Sequence, residues 1–170
     1  MITIRQLGPV IDEDVALIHS TLTHPLIYPR IADDGTAPAD QFRVSFEYPN
    51  IGYLGAWDGE TFLGLWVVDR RNAATVEVHT CLLPLAAGSK GLEAAKACAA
   101  WIWENTDFSR ITTNVPVFNR LALRFAERAG MVQYGENVRS YRKDGRLHNE
   151  ILLGLSRPES GGDQCQRQQL

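Results

Sequence analysis

The sequence predicts an α+β domain built on a mixed, mostly antiparallel central sheet of about seven strands, flanked by helices. Three observations carry that prediction. Residues 51–83 form three strand-like runs, separated by the hairpin pair Asp58-Gly59 and by a polar turn at 70–73, which is a three-stranded meander. Residues 75–115 then read strand, helix, strand, a unit that closes one parallel pairing by a right-handed crossover. Residues 131–155 hold two further strands around Asp144-Gly145, a second hairpin signal.

Each element has a local reason. Residues 2–6 alternate between apolar and polar side chains, a short strand. Asp12, Glu13 and Asp14 precede Val15, Leu17, Ile18 and Leu22; acidic residues in a first turn ahead of apolar residues at helical spacing predict a helix over 12–23. Pro25, Pro29, Gly35 and Pro38 make 24–38 a long loop, followed by a weak helical signal over 38–46. The strands of the meander fall at 51–57, 61–69 and 75–83. A loop of small residues at 84–90 leads to a helix over 91–105, with Leu92, Ala95, Ala99 and Ile102 at helical spacing. A strand at 110–115 precedes a helix at 119–129 that Gly130 ends. The last strands are 131–142 and 147–155.

Composition narrows the class. The 170 residues, 45% hydrophobic and 22% charged, make one globular domain over 1–156 and a polar C-terminal tail over 157–170 that is expected to be disordered. A net charge of −3 argues against a general nucleic-acid binder and against a polybasic membrane-surface protein. The charge is polarised: residues 1–60 carry 3 basic and 9 acidic residues, and residues 111–170 carry 9 and 6. No apolar run approaches the roughly 20 residues of a membrane span, and residues 1–5 do not read as a signal peptide. The three cysteines Cys81, Cys98 and Cys165 are odd in number and widely spaced, so neither a disulfide framework nor a metal site is expected, and the expected home is the cytoplasm.

Two segments could carry chemistry. The turn around 82–92 is rich in small residues that let backbone approach a ligand, and the helix behind it presents free N–H groups and a positive dipole end suited to phosphate. It reads equally as an ordinary strand–helix turn, since neither G-x-G-x-x-G nor G-x-x-x-x-G-K-[ST] is present. Asn119 stands where a strand gives way to a helix, and by itself reads as a cap. On the strand before the turn, alternation puts Glu77, His79 and Cys81 on one face. His79 and Glu77 are candidate bases, or else polar positions on a half-exposed strand; Cys81 reads as a small core residue rather than a nucleophile. The hairpin residues Arg139, Arg142, Lys143 and Arg146 form either an anion-attracting patch or a solvated turn. Trp101 and Trp103 read as packing.

Taken together, residues 77–131 resemble the core of the GNAT superfamily of acyl-CoA-dependent N-acyltransferases. The family's helix pattern N-x-x-A-x-x-x-Y-x-x-x-G-F is matched by Asn119, Ala122 and Gly130, with Ala126 in place of the tyrosine and Met131 in place of the phenylalanine. Its Q/R-x-x-G-x-G/A turn falls on residues 86–91 and keeps only the final small residue, Gly91. Leu92, Glu93 and Ala94 resemble the branch that ends this turn in T-E-A, which includes ribosomal-protein acetyltransferases. The motif resemblance covers about 75–155, while residues 1–74 match in element order alone. The texture is most similar to phage-encoded members.

The resemblance implies an N-acetyltransferase with acetyl-CoA as co-substrate and the primary amine of a small molecule or protein as acceptor. The pyrophosphate would lie on the backbone of Ala87, Gly88, Ser89, Lys90, Gly91 and Leu92, the pantetheine arm along Cys81, Leu82 and Leu83, and Asn119 would hold that arm. Ala86 replaces the motif's Arg or Gln, so Lys90, Arg120 or Arg124 would supply the side-chain grip. The leaving thiolate, without the motif tyrosine, would take its proton from Tyr134, Tyr141 or water. His79 or Glu77 would be the base, with backbone amides near Cys81–Leu83 polarising the carbonyl. His24, Tyr28 and Arg30 would line the acceptor side by family position. A homodimer is a state the resemblance allows. The second reading is a catalytically inactive GNAT-like module that still binds CoA.

Overall fold

A computed structural model describes residues 1–159. One sheet of seven strands runs in the order β1 (Ile2–Leu7), β2 (Ile51–Asp58), β3 (Thr61–Arg70), β4 (Thr75–Leu82), β5 (Arg110–Pro116), β7 (Arg146–Ser156), β6 (Val132–Lys143). Every neighbouring pair is antiparallel except β4 and β5, which the crossover helix α3 (Ser89–Asn105) joins in parallel. The helix α1 (Asp12–Leu22) covers one face, and α3 with α4 (Arg120–Arg128) covers the other.

Alternation along β2, β3 and β4 feeds two cores. Leu54, Ala56, Leu63, Trp66, Val76 and Val78 pack with α3, while Tyr53, Leu65 and Cys81 pack with Ile18 and Leu22 of α1. The buried stripe of α3 is Gly91, Ala94, Cys98 and Ile102; of the predicted positions Ile102 lies in it, Ala95 and Ala99 flank it half-buried against the same core, and Leu92 does not join it. Small side chains there bring the helix close to the sheet, and Leu92 is turned to the cleft described below.

The acidic first turn of α1 does more than complement a dipole. Asp14 is 1% exposed and takes a bidentate pair from Arg5 of β1 at 2.7 and 2.9 Å, with the Gly8 amide as a third donor at 3.1 Å. The Arg5 guanidinium holds the Asp14 carboxyl below the usual aspartate range, against the opposing cost of burial.

Three expectations change. The loop 24–38 contains a short helical turn, α2 (Tyr28–Ile31). The helical signal over 38–46 yields only a 3-10 turn at Ala39–Gln41, after which Phe42, Val44 and Phe46 pack against the α1 core as irregular chain; apolar burial rather than helix propensity decides this stretch. Arg157, at the head of the predicted tail, donates to the carbonyls of Trp103 and Thr106 and so closes the C-terminal end of α3. The rest of that tail, from residue 160 and including Cys165, lies outside the described residues.

β6 is an edge strand, exposed along most of its length, with an irregularity between Asn137 and Tyr141 that inserts two extra residues opposite Glu150–His148. Ser140 in that bulge donates to Asn137 O (3.0 Å) and to Glu150 Oε2 (2.7 Å). The hairpin closes through Asp144 and Gly145, both at positive φ (51° and 73°), the conformation the Asp-Gly pair predicts.

Candidate functional site

β4 and β5 pair only at Thr75–Glu77 against Arg110–Thr112 and then separate. Leu83 N donates to Leu63 O at 2.9 Å, and the register pairs Leu82 with Gly64. Antiparallel alternation therefore points the peptide groups of Leu83, Cys81 and His79 at β3, and those of Leu82 and Thr80 into the gap, away from β3. Two adjoining clefts fill this opening. One, of about 480 Å³, lies between β4, the start of α3 and α4, and the other, of about 640 Å³, runs through the gap from the α1 side at Leu22 and Tyr53 to the α3 and α4 side at Ala99 and Ala126. Arg30, Thr80, Asn119 and Ala122 line both.

The smaller cleft has the character of an anion site at one end. Gly88 ends the turn before α3, and no side chain caps that helix, so its first N–H groups remain available. Arg124 and Arg128, one turn apart on α4, line the same cleft. Gly91 serves packing: a β-carbon there would stand 2.5 Å from Ala86 O and 3.4 Å from the Phe125 ring. Asn119 caps α4, accepting from Ala122 N at 3.2 Å, while lining both clefts.

At the apex of the gap stands a polar cluster. Glu77 is buried and held by Arg71 Nε (3.0 Å) and Nη2 (2.9 Å), with Asn114 Nδ2 at 3.4 Å. Arg71 also pairs with Asp69 at 3.1 Å. His79 Nε2 lies 3.3 Å from Glu77 Oε1, and 44% of its side chain is exposed to the larger cleft. A carboxylate only accepts, so when this pair hydrogen-bonds the imidazole carries its proton on Nε2 and leaves the Nδ1 lone pair free. Cys81 is fully buried, which pushes its thiol up to about 12 and keeps it un-ionised at neutral pH.

The roof of the larger cleft is a clamp between the 29–34 loop and the β6–β7 hairpin. Tyr141 Oη donates to Ala32 O (2.9 Å), and Lys143 Nζ to Pro29 O (2.7 Å) and Ala32 O (2.6 Å). The Asp34 carboxylate takes the amides of Asp144 (2.7 Å) and Gly145 (2.8 Å), and Asp34 N donates to Arg142 O. Burial first, then the charges of Asp33, Glu150 and Asp34, raise the Tyr141 phenol to about 12.

The sequence candidates divide accordingly. Leu82, Leu83, Ala87, Gly88, Leu92, Asn119 and Arg124 line the smaller cleft, and His79, Cys81, Asn119 and Tyr141 the larger. Ser89, Lys90 and Gly91 line neither, and Lys90 pairs with Asp58 at 2.8 Å. Of the acceptor-side residues only Arg30 reaches a cleft. His24 Nδ1 accepts from Leu26 N, and the Tyr28 hydroxyl donates to Ala37 O. Tyr134 sits under Arg110, whose guanidinium lies 4.9 Å from its ring. Sequence reasoning missed Arg71, Asn114, Glu150, Arg128 and the role of Asp34; helical spacing from Arg124 could have found Arg128, while the others act across turns or large separations that leave no spacing signal.

The fold has solved counterparts. Spermidine N-acetyltransferase from Vibrio cholerae, determined in complex with CoA and spermine, superposes with a TM-score of 0.73 at 16% identity, covering 91% of this chain and 95% of that one. A probable GNAT-family acetyltransferase from Chromobacterium violaceum gives 0.73 at 12% identity over 91% and 82%. Ribosomal-protein-S5-alanine acetyltransferase from Vibrio fischeri gives 0.70 at 13% over 93% and 94%. The expected fold class therefore holds: the seven-stranded, mostly antiparallel open sheet is a GNAT-like acetyltransferase fold. No curated protein matches the sequence. Residues 36–135, more than half of the chain, match the family described as "Protein of unknown function (DUF2824)", and the chain belongs to that family.

Proposed function

We propose that this chain is an N-acetyltransferase that moves the acetyl group of acetyl-CoA to a primary amine of a small molecule or protein. The observation that carries the reading is the gap between β4 and β5. One continuous opening joins an uncapped helix start flanked by Arg124 and Arg128 to the unpaired edge of Thr80 and Leu82, and ends at His79.

The residues present fit the co-substrate. The backbone at the start of α3, beside Ala87 and Gly88, and the guanidinium groups of Arg124 and Arg128 suit its phosphates. Arg124 and Arg128 stand in for the arginine the turn lacks at Ala86. The free edge of Thr80 and Leu82 suits the amides of the pantetheine arm, which would add like a short strand. Bound acetyl-CoA supplies an acetyl thioester open to direct attack by an amine. The Leu82 N–H, aimed into the gap, stabilises negative charge developing on the thioester oxygen. His79 takes the proton of the attacking amine through Nδ1, directly or through a water. Glu77, locked by Arg71 and Asn114, orients the imidazole rather than acting as the base. The proton returned to the thiolate comes from water or from Tyr141, whose phenol first has to leave Ala32 O. No helix among the described residues is long and apolar enough to cross a membrane. The cytoplasm is the compartment proposed, with Cys81 and Cys98 free and buried.

The test is calorimetric titration with acetyl-CoA followed by assay of thiol release over a panel of amines. Saturable binding and amine-dependent release are expected. Binding without release across the panel would make the chain a CoA-holding module. Absence of binding would sink both readings.

A further inference from the structure

The larger cleft has a wall chemistry that none of the foregoing assigns. Its α1 side is apolar and aromatic, made by Leu22, Phe42, Ile51 and Tyr53. Two charged side chains line it. Arg30, on α2 under the Asp34 clamp, lines it and forms no ion pair among the described residues. Glu150, on β7, has Oε2 taken by Ser140 and offers Oε1. The acidic residues nearby that would suit a polycation, Asp33 and Asp34, line neither cleft; Asp33 is tied to Thr36 and Gly35, and Asp34 to the hairpin amides.

We propose that the acceptor is a small amine carrying both a carboxylate and a large apolar group, in the manner of an aromatic or branched amino acid. Arg30 takes the carboxylate, the apolar group lies against Phe42 and Tyr53, and Glu150 holds the ammonium in the cleft that His79 lines. Arg30 is exposed at the edge of the cleft and has no ion-pair partner among the described residues, so it suits an anion attached to a body that the apolar wall takes. The clamp between the loop and the hairpin roofs a cleft whose volume is of small-molecule size. The inference rests on the transferase reading for its meaning, but its binding content can be measured without turnover.

The experiment is calorimetric titration of the full chain with L-phenylalanine, L-leucine, the amide of each, and spermidine, with and without CoA. Either amino acid is expected to bind about tenfold or more tightly than its amide, which keeps the amine and loses the negative charge. In Arg30→Gln that preference collapses, and CoA affinity falls by less than amino-acid affinity. Spermidine binding best, no binding by either amino acid, an unchanged preference in Arg30→Gln, or a loss of CoA affinity in its place would each overturn the proposal. Arg30-dependent amino-acid binding without thiol release in any amine panel would leave this site standing and sink the transferase reading alone.

Discussion

The two halves of the sheet are stabilised in different ways. In β1 to β4 the strands pair along their length, and the centre of β2 and β3 is covered on both faces, with Leu63, Leu65 and Ile18 fully buried. In β5, β7 and β6 pairing is extensive, but cover is thin: Val132 and Val138 are 70% and 67% exposed, and Leu153 anchors a small cluster with Val115 and Ala126. Hydrogen bonds to the 29–34 loop do part of the work that a helix does in the first half. The halves meet at the short parallel pairing of β4 and β5, and the candidate site occupies the place where it fails. Unsatisfied backbone is tolerated there because the gap is open to water or ligand.

That contrast can be broken deliberately. Leu63→Ala, in the covered half, should cost about 2–5 kcal/mol in denaturant unfolding, through lost burial and a residual cavity. At the seam, His79→Ala should lower turnover about a hundredfold or more while leaving acetyl-CoA affinity unchanged; a wild-type rate would return His79 to a structural role. Asp14→Asn tests the buried pair that ties β1 to α1, and should cost about 1–3 kcal/mol at neutral pH. The folded-state pKa of Asp14 lies below its unfolded value, so its stabilisation is full above the ordinary aspartate range and is lost as pH falls through the folded value. Thermal unfolding of wild type and variant should therefore converge in acid. Asp34→Ala, in the second half, should cost only about 1 kcal/mol globally, yet hydrogen exchange at the Asp144 and Gly145 amides should rise. Val138→Ala on the edge strand should fall within about 0.5 kcal/mol of wild type.

Much of the fold was legible because its signals are local. The Asp58-Gly59 and Asp144-Gly145 pairs, the strand–helix–strand unit at 75–115 and the Gly130 stop are each decided within a few residues. Where cover from elsewhere decides, local reading failed: residues 42–46 follow the α1 core, and the buried stripe of α3 runs along Gly91, Ala94 and Cys98, which suit close approach to the sheet, with the predicted Ala95 and Ala99 at its flank. The site was legible in the same proportion. Alternation put His79 on its strand face, whereas Asn119, Arg124 and the 82–92 turn took their roles from the family resemblance, and of that turn Ser89, Lys90 and Gly91 line neither cleft. Arg71, Asn114, Glu150 and the Asp34 clamp depend on how strands are ordered and where one pair separates.

The sequence by itself thus determined which segments are strands and helices, where the hairpins turn, and that one strand carries Glu77, His79 and Cys81 on a common face, because backbone geometry and side-chain period act over short range. The tertiary structure alone decided that Glu77 is locked by Arg71 while His79 stays open, and that Lys90 serves Asp58 rather than the cleft. It also decided that a loop and a hairpin more than a hundred residues apart close over the site. Those outcomes follow from burial and charge pairing among residues that only folding makes neighbours.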